Sequence, residues 1–353
     1  MQSELTRNYI LDFDEIQPTM VELYVALFGE QHRERIEQDV YQTPITFCGT
    51  KETWRKVFEH VSALECNKDK NQKIQTALQY IDSLPDDKEP LQEEYLKVIS
   101  KAFYLPEQQE TSFNEHISDA NGFCMIGTDR NKNINMLICF ILRNKHSLSD
   151  SIIMHEFLHA ISMHEEVVDG EIIYYNGLTM PATESQDKGG MDEEFAKKYE
   201  LSSDLNEAVT QYYTLKLAKE MNEHGVAFID NKNKGSAYNK ALFVMDYLFD
   251  RLEPELRQLY INGDQQGLVK LIGEQNYEQI VELNQYFMRE ADLSSLYFDV
   301  RKHTGKFIDP EEYILNADIL PREGDRFYYD DFDKIRQVKA IADEIEQKLQ
   351  RKQ

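Results

Sequence analysis

His155-Glu156-Phe157-Leu158-His159 sets two imidazoles and a carboxylate at HExxH spacing. On a helix, residues four apart stand one turn above each other on the same face. His155 and His159 can therefore hold one Zn²⁺ ion. Glu156 projects roughly 100° further round the helix. From there its carboxylate can reach a water beside the metal and act as general base. The spacing supplies a metal site and a proton acceptor together.

The element that must carry these residues is a buried helix. Ser147, Ser149 and Asp150 offer caps at its start. Ile152, Ile153, Met154, Phe157, Leu158, Ala160 and Ile161 then make it apolar nearly all round, and such a helix is buried. Buried His and Glu require partners, and one metal ion satisfies both histidines. The plainer alternative is an accidental HExxH with ordinary buried histidines, in a chain of nine His and 64 Asp plus Glu.

A hydrolytic zinc site takes a third protein ligand and keeps a fourth position open. A metzincin would place His at position 165 and Gly at 162, where this chain has Glu165 and Ser162. His164 and Glu165 read as helix-end residues. Reaching back to the metal would demand an immediate chain reversal, with no Gly before them. Glu207 is the better candidate. Residues 201–220 read as a second helix, with caps at Ser202, Ser203 and Asp204 and a stop at Gly225. Leu205, Ala208, Val209, Tyr212, Leu215 and Ala218 recur near helical spacing. Glu207 falls in the first turns, close to that apolar face. The alternative there is a first-turn acid favoured by the helix dipole.

With Leu205-Asn206-Glu207-Ala208-Val209-Thr210-Gln211-Tyr212 following the HExxH segment, the chain resembles the gluzincin class of zinc metallopeptidases, of which thermolysin-like enzymes are familiar members. It also resembles bacterial peptidase-like proteins whose second motif reads L-N-E-G-L-T-E. The likeness runs over roughly residues 115–270 and is weaker outside the two motifs. It implies an α+β fold with a zincin-like core, mainly helical, with a small sheet before the HExxH helix. It implies His155, His159 and Glu207 as ligands of one Zn²⁺ per chain, and Glu156 as general base in peptide-bond hydrolysis. Two positions depart from the pattern. Gln211 stands where the class has an acid four residues after the ligand Glu; an acid there can orient a ligating His. Ala208 replaces Gly, which a helix tolerates.

Such chemistry needs a donor for the tetrahedral oxyanion. The sequence offers Tyr199, Tyr213, Tyr238, His224 and His303. Tyr238 is preferred because it opens a helix after the second motif. The class binds extended substrate along an edge strand. Residues 134–142 are strand-like, residues 122–127 form their hairpin partner, and Asp129 to Lys132 make the turn. No motif for gripping a substrate's free amine is evident, which favours an endopeptidase acting on peptide or protein. A degenerate homologue that keeps zinc but only binds peptide is the first alternative. A helical interaction protein without metal is the second.

The rest of the chain sets bounds. With 353 residues and 41% hydrophobic content it can bury a substantial core. A net charge of −25 disfavours nucleic acid and anionic membrane as partners. Cys48, Cys66, Cys124 and Cys139 form no CxxC and suggest no disulfide framework. Cys124 and Cys139 lie in apolar runs and read as buried thiols. The first residues lack a signal-peptide pattern, and no apolar run is long enough to span a bilayer, so a cytoplasmic location is expected, with leaderless export as the alternative.

Three regions are expected: a mainly helical 1–114, a zinc-peptidase core over 115–300 and a helical extension over 301–353. Residues 1–44 and 51–103 look mostly helical, with a break over 83–90. Residues 165–175 suggest a hairpin turning at Asp169-Gly170. Residues 181–194 look loose and polar, in the manner of a lid beside the site. Residues 235–295 read as several helices. Phe332, Ile335, Val338, Ala342, Ile345 and Leu349 mark a final helix that docks onto the body rather than dimerising.

Overall fold

The computed structural model describes residues 4–48, 50–63, 71–83, 122–128, 134–141, 150–183, 192–223, 242–248, 251–253, 255–289 and 326–351. The chain is mostly helical with small sheets, an α+β architecture. It divides into two compact units. One comprises residues 1–161 and 217–233, the other residues 162–216 and 234–353.

The first unit is built on a three-stranded sheet. After α1 (Glu4–Phe28) and α2 (Arg33–Gln42) come β1 (Ile45–Cys48), α3 (Lys51–Ala63) and α4 (Asn71–Ser83), then β2 (Gly122–Thr128), β3 (Ile134–Ile141) and α5 (Asp150–Ile161), which carries HExxH. The strand order is β1-β3-β2. β1 runs parallel to β3, with Ile45 opposite Ile138. β2 runs antiparallel, with Cys124 opposite Ile138. Every side chain from Leu137 to Ile141 is buried, so β3 is covered on both faces, as a continuous apolar run requires. One face carries Phe47 stacked on Phe140 at 5.5 Å. Phe13 of α1 bridges this pair to α5. Its ring lies 6.3 Å from Phe47 and 5.5 Å from Phe157. α3 packs on β1 and β3 through the other part of the core, with Trp54, Val57 and Phe58 fully buried.

The predicted hairpin partners are therefore neighbours, and their turn lies outside the described residues. β1 is an addition that the sequence did not announce. The predicted helices are present at α1 to α4; residues 84–121 lie outside the described residues. Cys48 and Cys139 are buried and Cys124 half-buried, all as free thiols; Cys66 lies outside the described residues.

The second unit begins with a hairpin. β4 (Met163–Val168) and β5 (Glu171–Asn176) pair antiparallel, and β6 (Ala182–Thr183) adds to β5. Asp169 and Gly170 form the expected two-residue turn, with φ of 53° and 83°. Two positive φ values are what a right-twisting hairpin demands of its turn. Next comes the long helix α6 (Glu193–Glu223). Its residues up to Lys216 belong to this unit and those from Leu217 to the first. α7 (Leu242–Leu248), α8 (Glu255–Ile261), α9 (Gln265–Ile272) and α10 (Glu274–Arg289) follow, the helices expected over 235–295. Of the loose segment at 181–194, residues 184–191 lie outside the described residues. The last helix, α11 (Arg326–Gln350), buries Ile335, Val338, Ile341, Ala342 and Ile345 and packs on α7 and α10. The near-heptad stripe is thus used within the chain, as expected. Among the described residues, no helix is long and apolar enough to cross a membrane.

Candidate metal centre

α5 presents its two histidines as the spacing predicts. His155 and His159 are 8% and 7% exposed, and their Nε2 atoms lie 3.1 Å apart. The rings meet edge to face at 4.8 Å, with an interplanar angle of 76°. Two nitrogens bound tetrahedrally at about 2.0–2.1 Å stand about 3.3–3.4 Å apart. The pair already has nearly that separation. α5 is held from two sides. Tyr24 of α1 donates to the carbonyl of Met154 at 3.2 Å. Arg35 of α2 donates to the carbonyl of Ile161, where the helix ends.

Glu156 is turned away from the histidine line, 7% exposed. Beside it lies Gly122 of β2. An ideal Cβ at position 122 would stand 3.0 Å from Glu156 Cγ and 3.1 Å from its Oε1. The missing side chain is what gives the carboxylate room. Sequence pattern alone marked Gly122 only as the start of a strand.

Glu207 sits in the middle of α6, which corrects the expected helix start. Asp192 is the true cap. Its Oδ1 accepts from the Phe195 N–H at 2.7 Å, and Glu193 and Glu194 follow in the first turn. Ser202 is employed elsewhere. Its hydroxyl donates to the Tyr199 carbonyl at 2.8 Å and accepts from the Met180 N–H at 2.9 Å. Asp204 lies 2.8 Å from Arg289. Side chains with such partners can sit mid-helix without competing for backbone donors. A helix-dipole preference thus gives no account of Glu207, since that effect is confined to the first turn. His155, His159 and half-buried Glu207 each offer one ligand atom, and these atoms all lie within 4.8 Å of one another. This group can hold a metal ion. Two imidazoles and one carboxylate form a donor set that suits zinc among other divalent transition metals.

His164 and Glu165 are not helix-end residues. α5 stops at Ile161 and both belong to β4. The Asp169-Gly170 turn pairs this segment with β5, and the His164 ring stacks on Tyr175 at 4.6 Å. Of the proposed oxyanion donors, Tyr213 is fully buried, with its hydroxyl held well above its ordinary pKa by burial and by nearby Glu253. Tyr199 is half-buried and stacks with Phe195. Tyr238, His224 and His303 lie outside the described residues. Gln211 is 5% exposed, one turn beyond Glu207.

Sequence reasoning missed the residues around Glu207. Asn206 accepts at Oδ1 from the Leu178 N–H at 2.8 Å. Tyr260 is fully buried, and burial raises its hydroxyl pKa, partly offset by its hydrogen bonds with Thr210 and Ser162. Asn directly before Glu207 is a visible signal, but its partners lie in a turn that periodicity does not describe. No protein-family model, no curated protein and no solved structure matches the chain.

Proposed function

We propose that the chain is a zinc-dependent peptidase of gluzincin type, with an endopeptidase's choice of peptide or protein substrates. The observation that carries this is the His155–His159 pair, Nε2 to Nε2 at 3.1 Å, grouped with Glu207. His155, His159 and Glu207 would hold the ion, which when bound supplies Lewis acidity to the scissile carbonyl. Glu156 takes a proton from the attacking water and passes it to the leaving amine. Its confinement beside Gly122 limits the positions its carboxylate can take.

The test has two parts. Zinc is counted per purified chain, for the parent and for Glu207→Ala. One zinc in the parent and strong loss in the variant support the ligand set; none in the parent, after reloading, removes the proposal. Glu156→Gln should then keep zinc and lose hydrolysis of a peptide library. Unchanged hydrolysis in that variant overturns the role of Glu156.

Buried Gln211 favours one second reading. A neutral amide can accept a histidine N–H but brings no charge to strengthen the ligand. A homologue that keeps zinc and binds peptide without cleaving it would show full zinc occupancy and no cleavage across the library.

A further inference from the structure

We infer that Asn206 is a positioning residue for Glu207, acting through the turn at Gly177; this rests on the zinc-site proposal above. Asn206 is 1% exposed. Its Oδ1 accepts from the Leu178 N–H at 2.8 Å, and its Nδ2 points to Asn176 Oδ1 at 3.5 Å. The turn between them fits the carboxamide closely. Gly177 has φ +51°, and a Cβ there would fall 2.1 Å from Asn206 Oδ1 and 2.9 Å from Tyr260 Cε2. Only a glycine allows this approach.

The helix is also tied one turn further on. Thr210 donates from Oγ1 to the Asn206 carbonyl at 2.8 Å. That hydroxyl has a single proton, so the 2.8 Å contact between Thr210 Oγ1 and Tyr260 has Tyr260 as donor. Gly177 in turn donates its N–H to the Ser162 carbonyl at 3.1 Å, and Ser162 bonds to Tyr260. The helix is thereby held by the Asn206 side chain and, one turn on, by Thr210 through Tyr260. A pinned residue 206 leaves the helix no rotation with which to swing residue 207. Metal ligands tolerate errors of only about 0.2 Å, so freedom there would be felt as lost affinity. The turn acts on Glu207 through Asn206, its neighbour on the helix.

The experiment compares Asn206→Ala, Asn206→Asp and Gly177→Ala with the parent and with Glu207→Ala. Zinc affinity is read by competition with a chromogenic chelator, coordination by the absorption spectrum of the Co²⁺-loaded protein, and folding by the melting of the metal-free protein. Asn206→Ala and Gly177→Ala should lose roughly 10–100-fold in affinity with an altered cobalt spectrum. Asn206→Asp, which keeps the acceptor for Leu178, should return close to the parent in both. Should Asn206→Ala fail to fold, Gly177→Ala against Asn206→Asp carries the same comparison. Parent affinity and spectrum in Asn206→Ala or in Gly177→Ala, alongside a strong loss in Glu207→Ala, overturn the positioning role alone. So does a loss that Asn206→Asp does not repair. Parent affinity in Glu207→Ala overturns the ligand set, and this inference with it.

Discussion

The Arg35 guanidinium donates to the carbonyl oxygen of Ile161, the last residue of the helix that carries both histidines. The last carbonyls of a helix have no partner within it, and the helix dipole favours a cation there. Arg35 supplies both from a neighbouring helix. Arg35→Met keeps the apolar stem and removes the bond. It should cost about 2 kcal/mol, the range for a hydrogen bond to a charged group, read by urea unfolding. A loss below about 0.5 kcal/mol, the level of an ordinary surface change, would show that the contact does not hold the helix.

Asp39, one turn after Arg35, gives that helix a pH dependence. Burial pushes its carboxyl up to about 7, opposed by the Arg35 charge. In the unfolded chain it titrates near 3.8. Between these values the folded protein keeps a proton that the unfolded chain has lost. Its stabilising effect is therefore complete below pH about 4 and declines as pH rises to about 7. Asp39→Asn cannot titrate. The parent's stability relative to this variant should fall steadily from pH 4 to 7 and level off above. A constant difference across the window would refute the raised pKa.

Gly122 leaves a gap that Glu156 occupies. In Gly122→Ala the new Cβ meets Glu156 Cγ at 3.0 Å, so the acid must shift by a few tenths of an ångström. Small displacements of a reacting group are costly to rate. In the hydrolysis proposed above, zinc content and KM should match the parent while kcat falls roughly tenfold, since a misplacement of about 1 Å costs on the order of a hundredfold. An unchanged kcat would mean that β2 does not shape the proposed base.

Gly170 separates backbone cost from crowding. A Cβ there meets nothing within 4 Å, yet φ is 83°. Gly170→Ala should therefore cost only the left-handed conformation, about 1 kcal/mol. Hydrogen exchange of the β4 and β5 amides should quicken about fivefold if the hairpin opens locally. Equal exchange would show that the turn does not limit opening.

What could be read from the sequence was local. The apolar run from Ile152 to Ile161 fixed a helix because every contact it needs repeats within a turn. Asp169-Gly170 betrayed a hairpin because few residue pairs accept two positive φ values. The four residues of β1 went unseen because their partner, β3, lies more than ninety residues away, and a distant parallel pairing leaves no local trace. Ser202 and Asp204 imitated caps because a short polar side chain looks the same whether it binds backbone or a tertiary partner. Glu207 stands out by its place near an apolar helix face, whereas Asn206 does not. Its work is done through the turn at Gly177, and no periodicity records it.

The hairpin leaves and rejoins the fold through one doorway, the hydrogen bond from the Gly177 N–H to the Ser162 carbonyl. Its base is tied further, by β6 against β5 and by Asn206 against Asn176, whereas its tip from Glu166 to Glu171 is exposed, Val167 at 70%. Doubling the length of such an excursion adds only about 0.6 kcal/mol of closure entropy. The tip of the hairpin is therefore where this chain can lengthen, shorten or exchange sequence while the threshold at Ser162 and Gly177 stays put. A lineage of such proteins can diversify this exposed tip and leave the threshold as it is.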